Sequence, residues 1–173
     1  MDKKLVTNIG QLVTPKGDGF LAGEDMNSLE VSEGKEILIS EGIIQEVGDR
    51  GDFSELRLDD TEVLNAGGKP VLPGFIDPHT HFVFSGYRAG DFQSRLQGKS
   101  YEEIAKEGGG ILSSVSSTRS VSFPELKEES KKRLGSMARF GVTTVEGKTG
   151  YGLDQETELK QLRAMKELDK ETP

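Results

Sequence analysis

The order of strand and helix patterns changes near residue 71, and this change limits the folds open to the chain. Residues 1–70 hold short extended patterns and a hairpin, whereas residues 71–173 alternate strand and helix in the order βαβα. Strands that alternate with helices form parallel sheets, because each helix carries the chain back across the sheet. The sequence therefore predicts an α/β protein in two parts, a β segment (residues 1–70) followed by the first βα units of a parallel sheet (residues 71–173).

The first part is predicted to be all β. The stretch KEILISEGIIQEVGD has two apolar runs on either side of Glu41-Gly42, which indicates a hairpin. Residues 16–35 are polar and contain glycine without a clear period, so they are predicted to form a loop. Further short strands are predicted at Lys4–Ile9, Gln11–Thr14 and Glu62–Leu64.

Capping signals mark the helices of the second part. Ser100 with Glu103 and Ser122 with Glu125 each form the S-x-x-E capping box that begins a helix. Asp154 is predicted to cap the last helix. The buried faces are predicted from apolar residues at helical spacing: Leu126, Ser130, Leu134, Met137 and Ala138 on one helix, and Leu159, Leu162, Met165 and Leu168 on the next. Strands are predicted at residues 75–83 and 142–146, and Gly108–Gly110 and Gly141 are expected to end helices.

Both histidines of the chain, His79 and His81, lie in the stretch PGFIDPHTHFVFSGYR. Side chains two residues apart on an extended strand point to the same face, so the two imidazoles are expected to project together with Asp77 beside them. Neutral imidazole is a common ligand of zinc, iron, copper and nickel, and Asp77 could orient one of the rings. On the pair alone, ordinary structural roles for both histidines stay open.

Composition narrows the class of protein. The formal net charge of −8 makes nucleic acid an unfavourable partner. The chain has no apolar run of membrane-spanning length, and its start, MDKKLVTNIG, has no apolar region of a signal peptide. It has no cysteine, which excludes disulfides and a thiol nucleophile. We therefore expect a soluble, cytoplasmic protein with neither nucleic acid nor membrane as its partner.

Four stretches resemble a known family. PGFIDPHTH resembles the first barrel strand of the metal-dependent amidohydrolases, and ILISEGIIQEVGD resembles their small β-sandwich. RLQGKSYEEIAKEGGGI (95–111) and GVTTVEGKTGYGL (141–153) resemble, more specifically, the imidazolonepropionase family of histidine degradation. The resemblance runs from about residue 4 to the end of the chain.

This resemblance implies a fold, a reaction and a set of site residues. The fold would be a (β/α)₈ barrel with a small β-sandwich, of which residues 1–70 form part of the sandwich and residues 71–173 the first βα units. The reaction would be the hydrolytic opening of 4-imidazolone-5-propanoate to N-formimidoyl-L-glutamate, with a zinc or iron ion activating water. His79 and His81 match two metal ligands of the family, Arg88 matches its carboxylate-binding arginine, and Tyr151 matches a substrate-binding tyrosine.

Several of these residues could instead have ordinary structural roles. Arg88 on a glycine-bounded loop also fits a solvated charge. Gly108–Gly110 could cradle an anion with backbone N–H groups, but a helix end explains the same glycines. Glu146 at a strand end could bind substrate or pair with Lys148. Tyr151 lies just after a predicted parallel strand, where barrel enzymes build their sites, so a structural role explains it less well.

The family pattern also implies what this sequence does not hold. A barrel takes about 250 residues, and the family's third metal-binding histidine, metal-binding aspartate and catalytic glutamate come later than residue 173. We therefore expect an N-terminal portion with no catalytic residue of its own and little or no turnover, which binds a small-molecule substrate in the whole enzyme and forms a homo-oligomer. The alternatives are another amidohydrolase, such as a deaminase or a cyclic-amide hydrolase, or a domain without catalytic function.

Overall fold

The computed structural model describes residues 2–17, 19–58 and 61–172. Within it the chain forms two compact units, Met1–Pro73 and Gly74–Pro173. Each unit has its own core and its own sheets, and each is described separately below. None of the helices in the described part of the chain is both long and apolar enough to cross a membrane.

The first unit consists of two sheets. One has the strand order β5-β4-β1-β6, with β1 and β6 parallel and the other pairs antiparallel. The other has the order β3-β2-β7, with β2 and β7 parallel. Ile9, Leu12 and Ile37 form a buried apolar cluster in this first unit. The elements are β1 Lys3–Thr7, β2 Gln11–Pro15, a 3₁₀ turn Gly23–Asn27, β3 Leu29–Ser32, β4 Lys35–Ser40, β5 Ile43–Asp49, a 3₁₀ turn Glu55–Leu58, β6 Glu62–Asn65 and β7 Pro70–Val71.

The hairpin prediction is confirmed, and the long loop prediction is wrong in part. Strands β4 and β5 pair antiparallel around Glu41 and Gly42, whose φ angles of 52° and 75° are those of a hairpin turn that needs positive φ. Residues 16–35, predicted as a loop, contain strand β3, which pairs with β2 through Val13 and Val31. Four residues are too few for a sequence period to show, and the pairing with β2 is what orders them.

The second unit alternates strands and helices. Its elements are β8 Phe75–Thr80, α1 Ala89–Leu96, α2 Tyr101–Lys106, α3 Ile111–Ser120, α4 Phe123–Arg139, β9 Val142–Gly147 and α5 Gln155–Leu168. Strands β8 and β9 pair in parallel, as the alternation predicts. Both capping boxes form, and the Asp154 carboxylate accepts a hydrogen bond from the Thr157 N–H. Strand β8 ends at Thr80, three residues before the end predicted for it.

Two helices, α1 and α3, were not predicted from the sequence. Helix α1 has few apolar residues, and helix α3 has the sequence ILSSVSSTRS, in which serine and threonine compete for backbone hydrogen bonds. Contacts inside the unit hold α3 in place, because Ser114, Val115 and Thr118 are buried there. Tertiary burial therefore overrides the weak local preference of this segment.

The core of the second unit lies between the helices and the chain that follows β8. Phe82, Val83, Leu126, Ala164 and Leu168 are buried together. The buried face predicted for α4 is confirmed at Leu126 and Ser130, and Leu134 and Met137 are half-buried against the core. The prediction is wrong at Ala138, which is exposed.

The buried face predicted for α5 is wrong at two of four positions. Leu159 and Leu162 are 50% and 49% exposed. The helix buries the predicted Leu168 together with Thr157, Gln161 and Ala164, which were not predicted. Gln161 is buried because its side-chain amide donates a hydrogen bond to the Val83 carbonyl at 2.6 Å. A hydrophobicity pattern cannot reveal this bond.

We expect the chain to self-associate in solution. In the described part of the structure β8 and β9 form a two-stranded sheet, so each has an edge without a partner strand, and Phe75 and Ile76 of β8 are 55% and 69% exposed. Unpaired strand edges that carry apolar side chains recruit other strands.

Size-exclusion chromatography with light scattering should therefore report oligomers. Ile76→Lys should shift them toward monomer, whereas Leu112→Lys, at an equally exposed position on α3, should not. A monomer with well-protected amides and a sharp thermal transition would contradict this expectation.

Candidate functional site

The two histidines meet at the carboxyl end of β8. His79 is an exposed residue of the strand, and His81 follows its last residue and is half-buried. Their ring centroids lie 5.4 Å apart, with the ring planes at 64° to each other. The structure thus brings together the pair predicted to bind metal, and it places the pair where a parallel sheet presents its functional side chains.

Asp77 does not orient an imidazole in this structure. Its carboxylate accepts a hydrogen bond from the backbone N–H of His79 at 3.1 Å. The pairing of β8 with β9 is irregular between Asp77 and Thr80, where Pro78 has no N–H to contribute. The ladder resumes at Thr80, whose carbonyl accepts the Lys148 N–H at 2.8 Å. This irregular pairing explains why the simple alternation of a strand does not describe Asp77.

His81 packs against the loop that follows β9. The Tyr151 ring lies 5.5 Å from the His81 ring, at 75° to it, and also 5.5 Å from the Phe84 ring. Gly150 lies so near that a Cβ atom there would be 3.4 Å from Cε1 of His81. Nδ1 of His81 is buried and has no hydrogen-bond partner among the described residues. The predicted metal ligand His81 and the predicted substrate-binding residue Tyr151 are therefore neighbours in the structure.

Arg88 lies at the N-terminal boundary of α1, beside a cavity of about 260 Å³. The other lining residues are Asp91, Phe92, Arg95, Tyr101 and Ile104. Two arginines, one aspartate and one tyrosine therefore line the cavity together with apolar side chains. Tyr101 was not singled out by the sequence patterns, in which it is simply the first residue after the Ser100 cap.

The three glycines at residues 108–110 end a helix rather than cradle an anion. The N–H groups of Gly108 and Gly109 donate to the carbonyls of Ala105 and Ile104, and the Gly110 N–H donates to the Asp91 carboxylate at 2.8 Å. All three donors are therefore occupied, and the helix-end interpretation is confirmed.

Side chains from three helices hold the segment between His81 and Arg88. Arg133 of α4 donates to the carbonyls of Phe82 and Phe84 at 3.1 and 2.7 Å, and its guanidinium carbon lies 3.8 Å from the centre of the Phe84 ring. The Thr118 hydroxyl of α3 accepts the Ser85 N–H at 3.1 Å. Gln161 of α5 adds the bond to Val83 described above. The segment is thus fixed by polar side chains that the sequence patterns did not identify.

Glu146 pairs with Lys148 at the end of β9. The hydrogen bond and the charge of Lys148 hold the pKa of the Glu146 carboxyl below its usual value, and His79 adds to this lowering. The alternative of a simple ion pair thus describes Glu146 in this structure. Among the described residues, no group of three or more His, Cys, Asp or Glu side chains is placed to hold a metal ion.

Known sequences match almost the whole chain. It is 49% identical over 168 residues to the imidazolonepropionase of Clostridium tetani, which covers 96% of this chain and 40% of the relative. It is also 49% identical over 170 residues to the imidazolonepropionase of Bacillus thuringiensis, which covers 98% of this chain and 40% of the relative. No protein-family model matches the chain. The predicted resemblance is confirmed, and the chain spans about two fifths of the length of these relatives.

Comparison with solved structures identifies the fold. Guanine deaminase of E. coli matches with a TM-score of 0.60 and 18% identity, over 96% of this chain and 35% of that one. A triazine hydrolase of Arthobacter aurescens matches with a TM-score of 0.53 and 15% identity, over 98% of this chain and 34% of that one. At these identities the likeness is one of fold. The mixed α/β structure is thus shared with enzymes of the amidohydrolase fold.

We expect Arg133 to stabilise the segment after the histidines. Arg133→Met keeps most of the apolar stem but removes two charge-assisted hydrogen bonds to carbonyl groups, so it should lower the free energy of unfolding by about 2 kcal/mol. Lys132→Met is the matched control, because the Lys132 side chain is 72% exposed and that of Arg133 only 12%. Urea unfolding of both variants measures the difference, and equal midpoints would show that Arg133 is dispensable.

Proposed function

We propose that this chain, a homologue of the imidazolonepropionases over nearly its whole length, supplies the first part of a metal-dependent hydrolase. The reaction is the hydrolytic opening of the ring of 4-imidazolone-5-propanoate, giving N-formimidoyl-L-glutamate in histidine degradation. The observation that carries the proposal is the 49% identity to imidazolonepropionases, which extends over both units of the chain. Because the chain spans two fifths of these relatives, the activity is proposed for the whole protein.

In the proposed fold, the second unit begins a (β/α)₈ barrel and the first belongs to a small β-sandwich. Strands β8 and β9 are parallel, helices lie between them in the chain, and α5 follows β9. The two histidines follow one strand end and Tyr151 follows the other. This placement supports the proposal, since barrel enzymes assemble their sites from the loops at the carboxyl ends of the strands.

His79 and His81 would hold the metal, zinc or iron. The rings are close, and the buried Nδ1 of His81 has no partner among the described residues, which fits imidazoles that reserve a nitrogen for a metal. When bound, such an ion lowers the pKa of water enough to supply hydroxide near neutral pH. The general base and the other metal ligands are proposed to lie in the part of the family sequence beyond this chain.

Arg88 would bind the propanoate carboxylate of the substrate. Its guanidinium offers a planar fork that matches a carboxylate, and it lines a cavity between aromatic side chains. Tyr101, on the wall of the same cavity, offers a hydroxyl to the same group. Tyr151, which lies beside His81, would contact the ring end of a substrate that reaches the metal site.

A deaminase is the second candidate, because the solved structures of similar fold include guanine deaminase. The 49% identity favours imidazolonepropionase over this alternative, since 18% identity supports the fold alone. We further propose that the protein works as a homo-oligomer in the cytoplasm on a small-molecule substrate, with no nucleic acid or membrane partner.

Metal binding should depend on both histidines. In a chimera of this chain with the remaining sequence of the Clostridium tetani relative, which would supply the other ligands, His79→Ala or His81→Ala should each abolish zinc retention after dialysis, because a site with few ligands loses its geometry when one is removed. Asp77→Asn should retain zinc, since the Asp77 carboxylate accepts a hydrogen bond from the backbone N–H of His79, and an amide oxygen can accept the same bond. Elemental analysis of the dialysed proteins gives the metal content. Equal zinc in all variants and the wild type would remove the ligand assignment.

The role of Arg88 can be tested in a chimera of this chain with the remaining sequence of the Clostridium tetani relative. Arg88→Lys should raise KM for 4-imidazolone-5-propanoate about tenfold or more, because lysine keeps the charge but loses the fork, worth about 1.5 kcal/mol. Arg95→Lys, in the same cavity, is the control. An analogue without the carboxylate should show no such loss, and equal losses for both compounds would place the action of Arg88 elsewhere. A chimera that folds and binds metal but opens no imidazolone ring would contradict the proposed function.

A further inference from the structure

We infer that Glu158 is a positioning residue, whose carboxylate fixes the loop of residues 149–153 and so holds Tyr151 against His81. Glu158 lies in the first turn and a half of α5 and is half-buried. Its effect on the structure follows from the contacts described here, whereas its effect on catalysis rests on the proposed function.

Three backbone N–H groups converge on this one carboxylate. Gly150 donates to Oε2, and Gly152 and Leu153 donate to Oε1, each at 2.8 Å. The loop therefore wraps around the end of a side chain from the helix that follows it. Backbone donors that turn away from any strand or helix need such a partner, and an ionised carboxylate is the strongest acceptor available.

The loop conformation that results is one the backbone does not adopt freely. Gly150 has a φ of 130°, and Leu153, which has a side chain, has a φ of 53° in the left-handed region. A Cβ atom at Gly152 would lie 2.8 Å from the Glu158 nitrogen, so the loop also packs tightly on the start of α5. Strained positions of this kind persist only where surrounding contacts determine them, and the Glu158 carboxylate supplies those contacts.

The charge state of Glu158 agrees with this role. Partial burial by itself raises the pKa of the carboxyl group, but hydrogen bonds from the Thr149 side chain and from the N–H groups of Leu153, Gly152 and Gly150 outweigh burial. The net pKa is below its usual value, so the carboxylate is ionised at neutral pH.

Tyr151 lies between Gly150 and Gly152, whose N–H groups both donate to the Glu158 carboxylate. We call these hydrogen bonds the Glu158 clamp, and this clamp determines where the Tyr151 ring points. The centroid of the Tyr151 ring lies 5.5 Å from those of both the His81 and the Phe84 ring. A glutamine at position 158 has the same shape but offers one acceptor oxygen and one amide donor. Because the N–H groups arrive at both oxygens, Glu158→Gln must leave at least one of them facing a donor.

The test uses the 173-residue chain and its Glu158→Gln variant, with Glu156→Gln as control because that residue is exposed in the same turn of α5. Hydrogen exchange followed by mass spectrometry should show peptides of residues 149–153 exchanging about tenfold faster in Glu158→Gln, as expected if about 1.4 kcal/mol of local stability is lost. Diethyl pyrocarbonate should then modify His81 faster relative to His79. Tyr151→Leu should raise the same His81 ratio without speeding exchange in the loop.

Unchanged exchange and an unchanged His81 ratio in Glu158→Gln would overturn the inference, as would an unchanged ratio in Tyr151→Leu. If Glu158→Gln fails to fold, Thr149→Val removes one partner of the carboxylate and should give the same changes to a smaller degree. Neither measurement involves substrate. A loosened loop in a chimera that opens no imidazolone ring would therefore refute the proposed function alone, and an active chimera with an unchanged loop would refute the clamp alone.

Discussion

The parallel pairing of β8 with β9 is the constraint on which the candidate site depends. It places the ends of both strands at one edge of the sheet, so that the chain after β8 and the loop after β9 face each other. Close packing around the pair requires glycine at two positions. A side chain at Gly74 would collide with Thr143, and a Cβ atom at Gly147 would lie 2.7 Å from the Phe82 ring. Without these glycines the strands and the segment after His81 could not approach as they do.

Two loops leave this edge, and polar side chains of the helices hold both. Arg133, Thr118 and Gln161 bind the backbone between His81 and Arg88, and Glu158 binds the backbone around Tyr151. A loop backbone has N–H and C=O groups that no sheet or helix satisfies, so each half-buried loop needs such partners. In this unit the helices therefore contribute their polar faces to the site as much as they contribute apolar faces to the core.

The parts of this structure that could be predicted from sequence are those that depend on neighbours in the chain. Ser100 and Glu103 are three residues apart, and Glu41-Gly42 is a turn signal by itself, so the capping box and the hairpin were both visible. The buried face of α5 was not, because Gln161 is buried for a bond to Val83, which is 78 residues away in the chain. The approach of His79 to His81 was predicted from strand geometry and is found, although the strand is irregular there and ends at Thr80. The roles proposed for Arg88 and Tyr151 came from family resemblance. Nothing in the sequence marked Glu158, because its partners are backbone groups of a loop whose path only the fold determines.

Three polar side chains are buried in the core of the second unit, where each loses its hydrogen bonds to water. Thr118, Ser130 and Gln161 are all fully buried. The Thr118 and Ser130 hydroxyls donate to the carbonyls of Ser114 and Leu126 one helical turn earlier, which offsets their loss of water. Gln161 uses its amide hydrogen for Val83, but its Oε1 atom has no partner among the described residues. An unpaired buried acceptor costs about 1–3 kcal/mol, whereas a leucine of similar volume would cost little there. The bond to Val83 is what glutamine offers and leucine does not. The free-energy cost of burying Gln161 is therefore accepted because its bond to Val83 holds the segment that leads from the histidines to Arg88.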